Sequence, residues 1–104
     1  MKDPNNKVKF EDLGSGRFRV DGRLDFNSVI QALETSKHLF AELHAVQLDL
    51  SGVSAIDSAG LALLIEWISR AKRGKCNLVF SHVPAQAMAI ARISDVEKLL
   101  PVVV

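Results

Sequence analysis

The residues best suited to chemistry or recognition lie in one segment, Leu48–Leu61, which reads LDLSGVSAIDSAGL. Its pattern predicts an apolar strand, a loop and the start of a helix. Asp57 and Ser58 fall at that helix start, where backbone N–H groups lack intrahelical partners and the helix dipole is positive. A phosphate or a partner's carboxylate would be favoured beside Ser58, and phosphorylation would add about −1.5 to −2 charges there.

A simpler interpretation of the same residues remains open. Asp and Ser are ordinary N-cap residues, so Asp57 and Ser58 could serve only to start the helix. Gly60 could be required only because the helix packs closely against the sheet. The helix pattern by itself is equally compatible with both interpretations.

Other reactive side chains do not form a recognisable catalytic or metal-binding pattern. His38, His44 and His82 lack the spacing typical of a metal site, and Cys76 has no second cysteine to pair with. Asp25 and Asp49 could converge with Asp57, but each also suits a turn or a cap, and no second catalytic group is evident. No phosphate-binding G-x-x-x-x-G-K-[ST] loop is present. We therefore predict no catalytic residue, metal or cofactor.

Composition favours a small protein-binding domain over a nucleic-acid binder. The 104 residues suit one domain, their apolar fraction of 48% can supply a core, and the formal charge is +1. The single cysteine fits a reducing, cytoplasmic location. Residues 1–7 are polar, predict a flexible end and lack the apolar stretch of a signal peptide. No apolar run approaches the roughly 20 residues needed to insert across a bilayer.

Periodicity predicts the element order β-β-α-β-α-β-α. Val8 to Val20 alternate around a Gly-rich turn, a second turn is predicted at Asp21–Gly22, and a helix capped by Asp25 or Asn27 follows. This helix is predicted to be amphipathic, because its apolar residues recur close to helical spacing: Phe26, Val29, Ile30, Leu33, Phe40 and Leu43. The later elements are predicted as a strand at 46–50, a loop at 51–57 and a helix from Asp57 or Ser58 to Arg73, ended by Gly74. A strand at 77–80, a helix after Pro84 and a strand at 102–104 follow. This order predicts an α/β fold with a mixed, largely parallel sheet, covered by amphipathic helices on one or both faces.

The second helix carries an apolar pair off the predicted core stripe. Leu61, Ile65 and Ile68 mark that stripe, whereas Leu63 and Trp67 are i, i+4 neighbours on another side. Because Trp is enriched at interface hot spots, we expect this pair to bind a partner. Coverage by the third helix or the C-terminal tail is the alternative. The predicted partner-binding residues are Asp57, Ser58, Ala59, Gly60, Leu63, Glu66, Trp67 and Arg70.

Two motifs resemble those of the STAS domain family. Asp57–Leu61 is similar to the D-[ST]-x-G-L motif of that family, and Asp21–Asp25 is similar to its earlier G-x-L-D turn. The resemblance extends from about Phe18 to Leu100. It implies a single non-catalytic STAS domain over residues 1–104.

Within the family, Gly60–Leu64, Ala71–Arg73 and Ser94–Pro101 most resemble the MlaB-like branch. That resemblance implies a cytoplasmic subunit of a phospholipid ABC transporter that maintains outer-membrane lipid asymmetry. Such a subunit binds the ATPase subunit through Ser58, and through it a membrane permease. The alternative is an anti-sigma factor antagonist, in which a kinase phosphorylates Ser58 and breaks the complex. A stand-alone lipid-binding domain is a third possibility, although no long apolar-cavity signal is visible.

Overall fold

The structure is a computed structural model that describes residues 7–103. Apart from Lys7, the N-terminal segment expected to be flexible lies outside these residues, as does Val104 of the predicted last strand. The strands are β1 (Lys9–Gly14), β2 (Arg17–Leu24), β3 (Ala45–Ile56), β4 (Asn77–Ser81) and β5 (Val102–Val103). The helices are α1 (Val29–Phe40), α2 (Ser58–Arg73) and α3 (Ala85–Ile93), and a 3-10 helix spans Glu97–Leu99. This arrangement confirms the predicted α/β class.

The sheet is mixed and largely parallel, as predicted, with strand order β1-β2-β3-β4-β5. Only β1 is antiparallel to its neighbour. Right-handed crossovers between successive neighbouring strands place all three helices on the same face. The strand residues that face the helices are buried, among them Phe18, Val20, Val46, Leu48, Leu50, Leu78 and Phe80. The strand order therefore leaves the opposite face of the sheet without helices, and that face is polar.

The segment predicted as a loop at 51–57 is instead the second half of β3, which continues to Ile56. The register of β3 against β2 shifts after Asp49 and again after Val53, and each shift places one extra residue on β3. A β-bulge of this kind breaks the alternation of buried and exposed residues. The loss of alternation after Leu50 was therefore caused by bulges and not by the end of the strand.

The connection between β2 and α1 also differs from the prediction. Asp21–Gly22 is not a turn: it lies within β2, and Gly22 has φ +121° beside the second register shift. The helix begins later than predicted, after the N-cap residue Ser28 and not after Asp25 or Asn27. The Ser28 hydroxyl accepts a hydrogen bond from the Asp25 N–H at 3.0 Å and donates to the Arg23 carbonyl. A buried serine therefore closes a turn before the helix starts.

The second helix has a wide buried arc because it packs on the sheet and against both α1 and α3. Leu63 and Trp67 are only 4% and 2% exposed, so the prediction that they form a surface patch is wrong. Trp67 faces α1 and β1: its ring lies 6.0 Å from that of Phe10 and 6.2 Å from that of Phe40. Its Nε1–H donates to Ser36 Oγ at 2.8 Å. Elements at the α1 side, and not α3 or the C-terminal tail, cover the tryptophan.

Replacing Trp67 should therefore destabilise the fold. We expect Trp67→Ala to lower the free energy of unfolding by about 3–5 kcal/mol, because it leaves a cavity and removes the hydrogen bond to Ser36. Trp67→Phe should cost less, since it keeps most of the packing. Urea denaturation measures both, with the exposed-pair variant Glu66→Gln as a control that should change stability by at most about 0.5 kcal/mol. A loss below about 1 kcal/mol for Trp67→Ala would contradict the core role.

Candidate partner-binding site

The carboxylate of Asp57 connects the start of α2 to the β2–α1 connection. Its Oδ1 accepts from the Gly60 N–H at 3.0 Å, which is a helix N-cap bond. Its Oδ2 accepts from the Phe26 N–H at 3.2 Å, across 31 positions of sequence. The Asp57 N–H in turn donates to the Leu24 carbonyl at 3.3 Å. Asp57 thus positions the surrounding residues, and both of its carboxylate oxygens are already engaged.

Gly60 allows α2 to approach the sheet closely. A Cβ at this position would lie 2.6 Å from Ile56 Cγ1 and would also overlap the Leu24 carbonyl oxygen. Gly60 is buried, so its role is the close packing left open by the sequence. Ser58, in contrast, is exposed on the first turn of α2, and Ala59 beside it is half-buried.

Two large apolar side chains are exposed at the start of α1. Phe26 is 80% exposed and Ile30 is 73% exposed. The Phe26 backbone is bonded to Asp57, which places it next to the start of α2. Ile30 follows one turn later on α1, and Ala62 is exposed one turn after Ser58 on α2. We call Phe26, Ile30, Ser58 and Ala62 the helix-start surface.

Charged side chains continue along the outer faces of α1 and α2 beyond the helix-start surface. Glu66 accepts from Arg70 at 2.9 Å, and both side chains are about two-fifths exposed. On α1, the hydrogen bond and charge of Lys37 lower the pKa of Glu34, and Arg70 adds to this lowering from across the helix pair. Glu66 lies about 12 Å along the helix from Ser58, because each residue advances it by about 1.5 Å. These residues can form only the rim of a surface centred near Ser58.

The structure thus brings together only some of the predicted partner-binding residues. Ser58 is exposed, and Glu66 and Arg70 lie farther along α2. Asp57 is committed to two hydrogen bonds. The remaining four residues are partly or fully buried: Ala59, Gly60, Leu63 and Trp67. The sequence interpretation missed Phe26 and Ile30, because it counted both among the core-facing residues of α1. A core-facing stripe centred on the small residues Ala32 and Ser36, which are four positions apart and buried, would have indicated that Phe26 and Ile30 face away from the core.

The three aspartates that could have formed a carboxylate cluster do not converge. Asp25 pairs with Arg23 at 3.3 Å. Asp49 Oδ1 lies 3.0 Å from His82 Nδ1 and accepts from the Ser51 N–H at 2.9 Å. Asp57 caps α2. Among residues 7–103 no group of three or more His, Cys, Asp or Glu side chains is arranged to hold a metal ion.

The family comparison agrees with this fold. The profile of the family described as "Mlab, STAS domain" matches residues 11–101. The chain therefore belongs to the STAS domain family, whose members are generally non-catalytic regulatory or interaction domains. The sequence has no significant match among curated proteins. Within residues 7–103, no helix has the length and apolar character needed to cross a membrane.

Two solved structures show the same fold at low sequence identity. The unphosphorylated anti-sigma factor antagonist SpoIIAA is similar with a TM-score of 0.68 and 14% identity, over 93% of this chain and 88% of that one. The structure of SLC26A9 is similar with a TM-score of 0.59 and 19% identity, over 80% of this chain and 16% of that one. At these identities the likeness extends to the fold alone.

Asp57 provides a test of the local architecture. We expect Asp57→Ala to lower the free energy of unfolding by about 1–2 kcal/mol, because it removes the acceptor for the Gly60 and Phe26 N–H groups. Asp57→Asn should cost less, since its amide oxygen can still cap the helix. Chemical denaturation compares these variants with Ser58→Ala at the adjacent position, which should be nearly neutral. Equal stability of Asp57→Ala and Ser58→Ala would show that the hydrogen bonds of the Asp57 carboxylate contribute little to the stability of the fold.

The Asp49 carboxyl should make stability depend on pH in the acid range. Burial acts to raise its pKa, but hydrogen bonds from Ser51 and His82 outweigh it, so the pKa is lower than in the unfolded chain. The resulting stabilisation is present above the unfolded pKa and is lost as pH falls through the folded one. The stability difference between the native protein and Asp49→Asn should therefore stay constant from neutral pH to about pH 5 and shrink as the pH falls below about 4. If the stabilities of the native protein and Asp49→Asn fell in parallel as the pH was lowered, the lowered pKa of Asp49 would be contradicted.

Proposed function

We propose that this chain is a non-catalytic subunit of a Mla-type phospholipid ABC transporter. It binds the ATPase subunit, and through it the permease, on the cytoplasmic side of the inner membrane. The observation that carries the proposal is the exposure of Phe26 and Ile30 at the start of α1, which the Phe26 N–H joins to Asp57 in the motif that resembles the partner-binding motif of the family. The MlaB description of the matching family profile supports the choice of partner.

The helix-start surface has the composition of a small binding site. Protein interfaces combine an apolar, often aromatic, centre with a polar and charged rim. Here Phe26 and Ile30 provide the centre, and Glu34, Glu66 and Arg70 lie toward the rim. Full burial of each large apolar side chain is worth about 1.5–3 kcal/mol, so these two residues can supply much of the affinity of a modest interface.

Binding of this kind acts on the transporter through linkage. A subunit that binds one conformation or assembly of the ATPase more tightly shifts the population toward that state. Asp57 keeps the Phe26 backbone and the first turn of α2 in a defined relation before binding. The surface is thus preorganised, which reduces the entropy lost on association.

Control of an anti-sigma factor is the second candidate function, and the exposure of Ser58 favours it. A phosphate on the first turn of α2 would interact favourably with the helix dipole, so the fold would tolerate it. The same charge would be costly inside an apolar interface beside Phe26. Phosphorylation could therefore release a partner without unfolding the domain.

Affinity purification distinguishes the two functions. The tagged protein is isolated from its own cells in mild detergent, and mass spectrometry identifies its partners and the state of Ser58. Recovery of an ABC ATPase and its permease, with unmodified Ser58, is the expected result. Recovery of an anti-sigma kinase with phosphorylated Ser58 would instead establish transcriptional control.

Substitutions at the helix-start surface test its role in either complex. We expect Phe26→Asp and Ile30→Asp to weaken recovery of the partner by at least about tenfold, because each loses more than about 1.4 kcal/mol of apolar burial. Ile93→Asp is the matched control, since Ile93 is 87% exposed at the far end of α3. All three should keep a native unfolding transition. Unchanged recovery with both Phe26→Asp and Ile30→Asp would place the interface elsewhere.

A further inference from the structure

A cavity of about 500 Å³ opens between the C-terminal ends of α1 and α2 and the starts of β3 and β4. Its lining is mostly apolar, with walls formed by Phe40, Leu43, Val46, Trp67 and Leu78. This volume lies within the range of pockets that hold small molecules, about 300–1,000 Å³. The apolar walls favour a ligand with a hydrocarbon portion.

The cavity is separate from the helix-start surface. It adjoins Arg70, Arg73 and Gly74, whereas Ser58 begins the same helix. A helix from Ser58 to Arg73 is about 24 Å long, so the two regions lie at opposite ends of α2. A ligand in the cavity would leave Phe26 and Ser58 free for a partner.

The rim of the cavity carries cationic side chains. Lys37, Arg70 and Arg73 all line it. Arg70 and Arg73 share the single carboxylate of Glu66, at 2.9 and 3.5 Å. Lys37 pairs with Glu34 at 3.0 Å. The two guanidinium groups therefore share one carboxylate, whereas Lys37 has a carboxylate of its own. Because exposed ion pairs of this type contribute little to stability, these side chains can turn to an anionic ligand at little cost.

The charge at this end of the molecule exceeds what the helix dipole needs. Lys72 and Lys75 lie within the same short stretch as Arg70 and Arg73. The dipole places only about half a negative charge at the C-terminus of α2. Against the five cations Lys37, Arg70, Lys72, Arg73 and Lys75 stand three carboxylates: Glu42 in the lining, Glu66 beside the arginines and Glu34 beside Lys37. This end of the molecule thus carries a positive excess near the apolar opening.

We infer that the cavity binds an amphiphile that has a hydrocarbon chain and an anionic head group. The chain lies against the half-buried side chains Phe40, Leu43 and Ala71, with Trp67 at the base of the cavity. The head group pairs with Arg70, Arg73 and Lys37 at the rim. Burial of the hydrocarbon chain supplies the affinity. Guanidinium groups supply the selection for a carboxylate or phosphate through charge-assisted hydrogen bonds.

Trp67 provides the readout, because it is the sole tryptophan and it lines the cavity. The full-length protein is titrated below the micelle concentration with dodecanoate, with dihexanoylphosphatidylglycerol, and with dodecyltrimethylammonium as the cation of matched chain length. We expect a saturable change in Trp67 fluorescence with at least one of the anions, and at least about tenfold weaker binding of the cation. The tighter of the two anions identifies a fatty acid or a phospholipid as the source.

Two kinds of variant test the position of the ligand. Ala71→Phe adds a ring to the cavity lining and should weaken anion binding by about tenfold or more, whereas Ala89→Phe on the exposed side of α3 should not. Arg70→Gln combined with Arg73→Gln should reduce the preference for the anion, and Arg92→Gln should leave it unchanged. The arginine pair is at the surface, so it remains a test if Ala71→Phe does not fold.

Any one of three results would overturn the inference. The first is the absence of a saturable signal with both anions, and the second is equal binding of the cation. The third is anion binding that persists unchanged in the double arginine variant. None of these outcomes depends on the identity of the protein partner. The amphiphile site therefore stands or falls separately from the proposed function.

Discussion

The hydrogen bonds of the Asp57 carboxylate hold together two segments that are distant along the chain, the start of α2 and the connection between β2 and α1. One oxygen caps α2 through Gly60, and the other fixes the backbone of Phe26 before α1. Gly60 complements these bonds, since only a residue without Cβ lets the first turn of α2 approach Leu24 so closely. The relative position of Ser58 and Phe26 depends on this connection. Recognition at the helix starts is therefore a property of the backbone arrangement and not of one side chain.

The one-sided helical layer divides the molecule into regions of different character. Because α2 is the middle helix, it is buried against the sheet, α1 and α3, and Trp67 belongs to the core. The helix starts present exposed apolar side chains beside Ser58, whereas the helix ends enclose a cavity with a cationic rim. These two regions can act independently, because the length of α2 separates them. The stability of the core is the common requirement of both.

Local patterns predicted the elements best where one physical signal was strong. The N-cap Asp57 and the stop at Gly74 define α2 in both the prediction and the structure. The prediction failed in β3, where bulges shift the alternation after Leu50, and at the start of α1, where buried Ser28 closes a turn. Such errors share a cause: bulges and buried turns depend on pairing with β2 and on packing, and a local pattern carries little information about either.

The sequence alone determined the α/β class, the largely parallel sheet and the motif around Ser58, because periodicity, capping and the family resemblance are local signals. Only the tertiary structure decided which apolar residues are accessible. Trp67 was expected at the surface and is buried, whereas Phe26 and Ile30 were expected in the core and are exposed. The physical reason is that the width of a buried arc depends on how many neighbours a helix has. The order of the strands sets that number, and neither periodicity nor composition contains it.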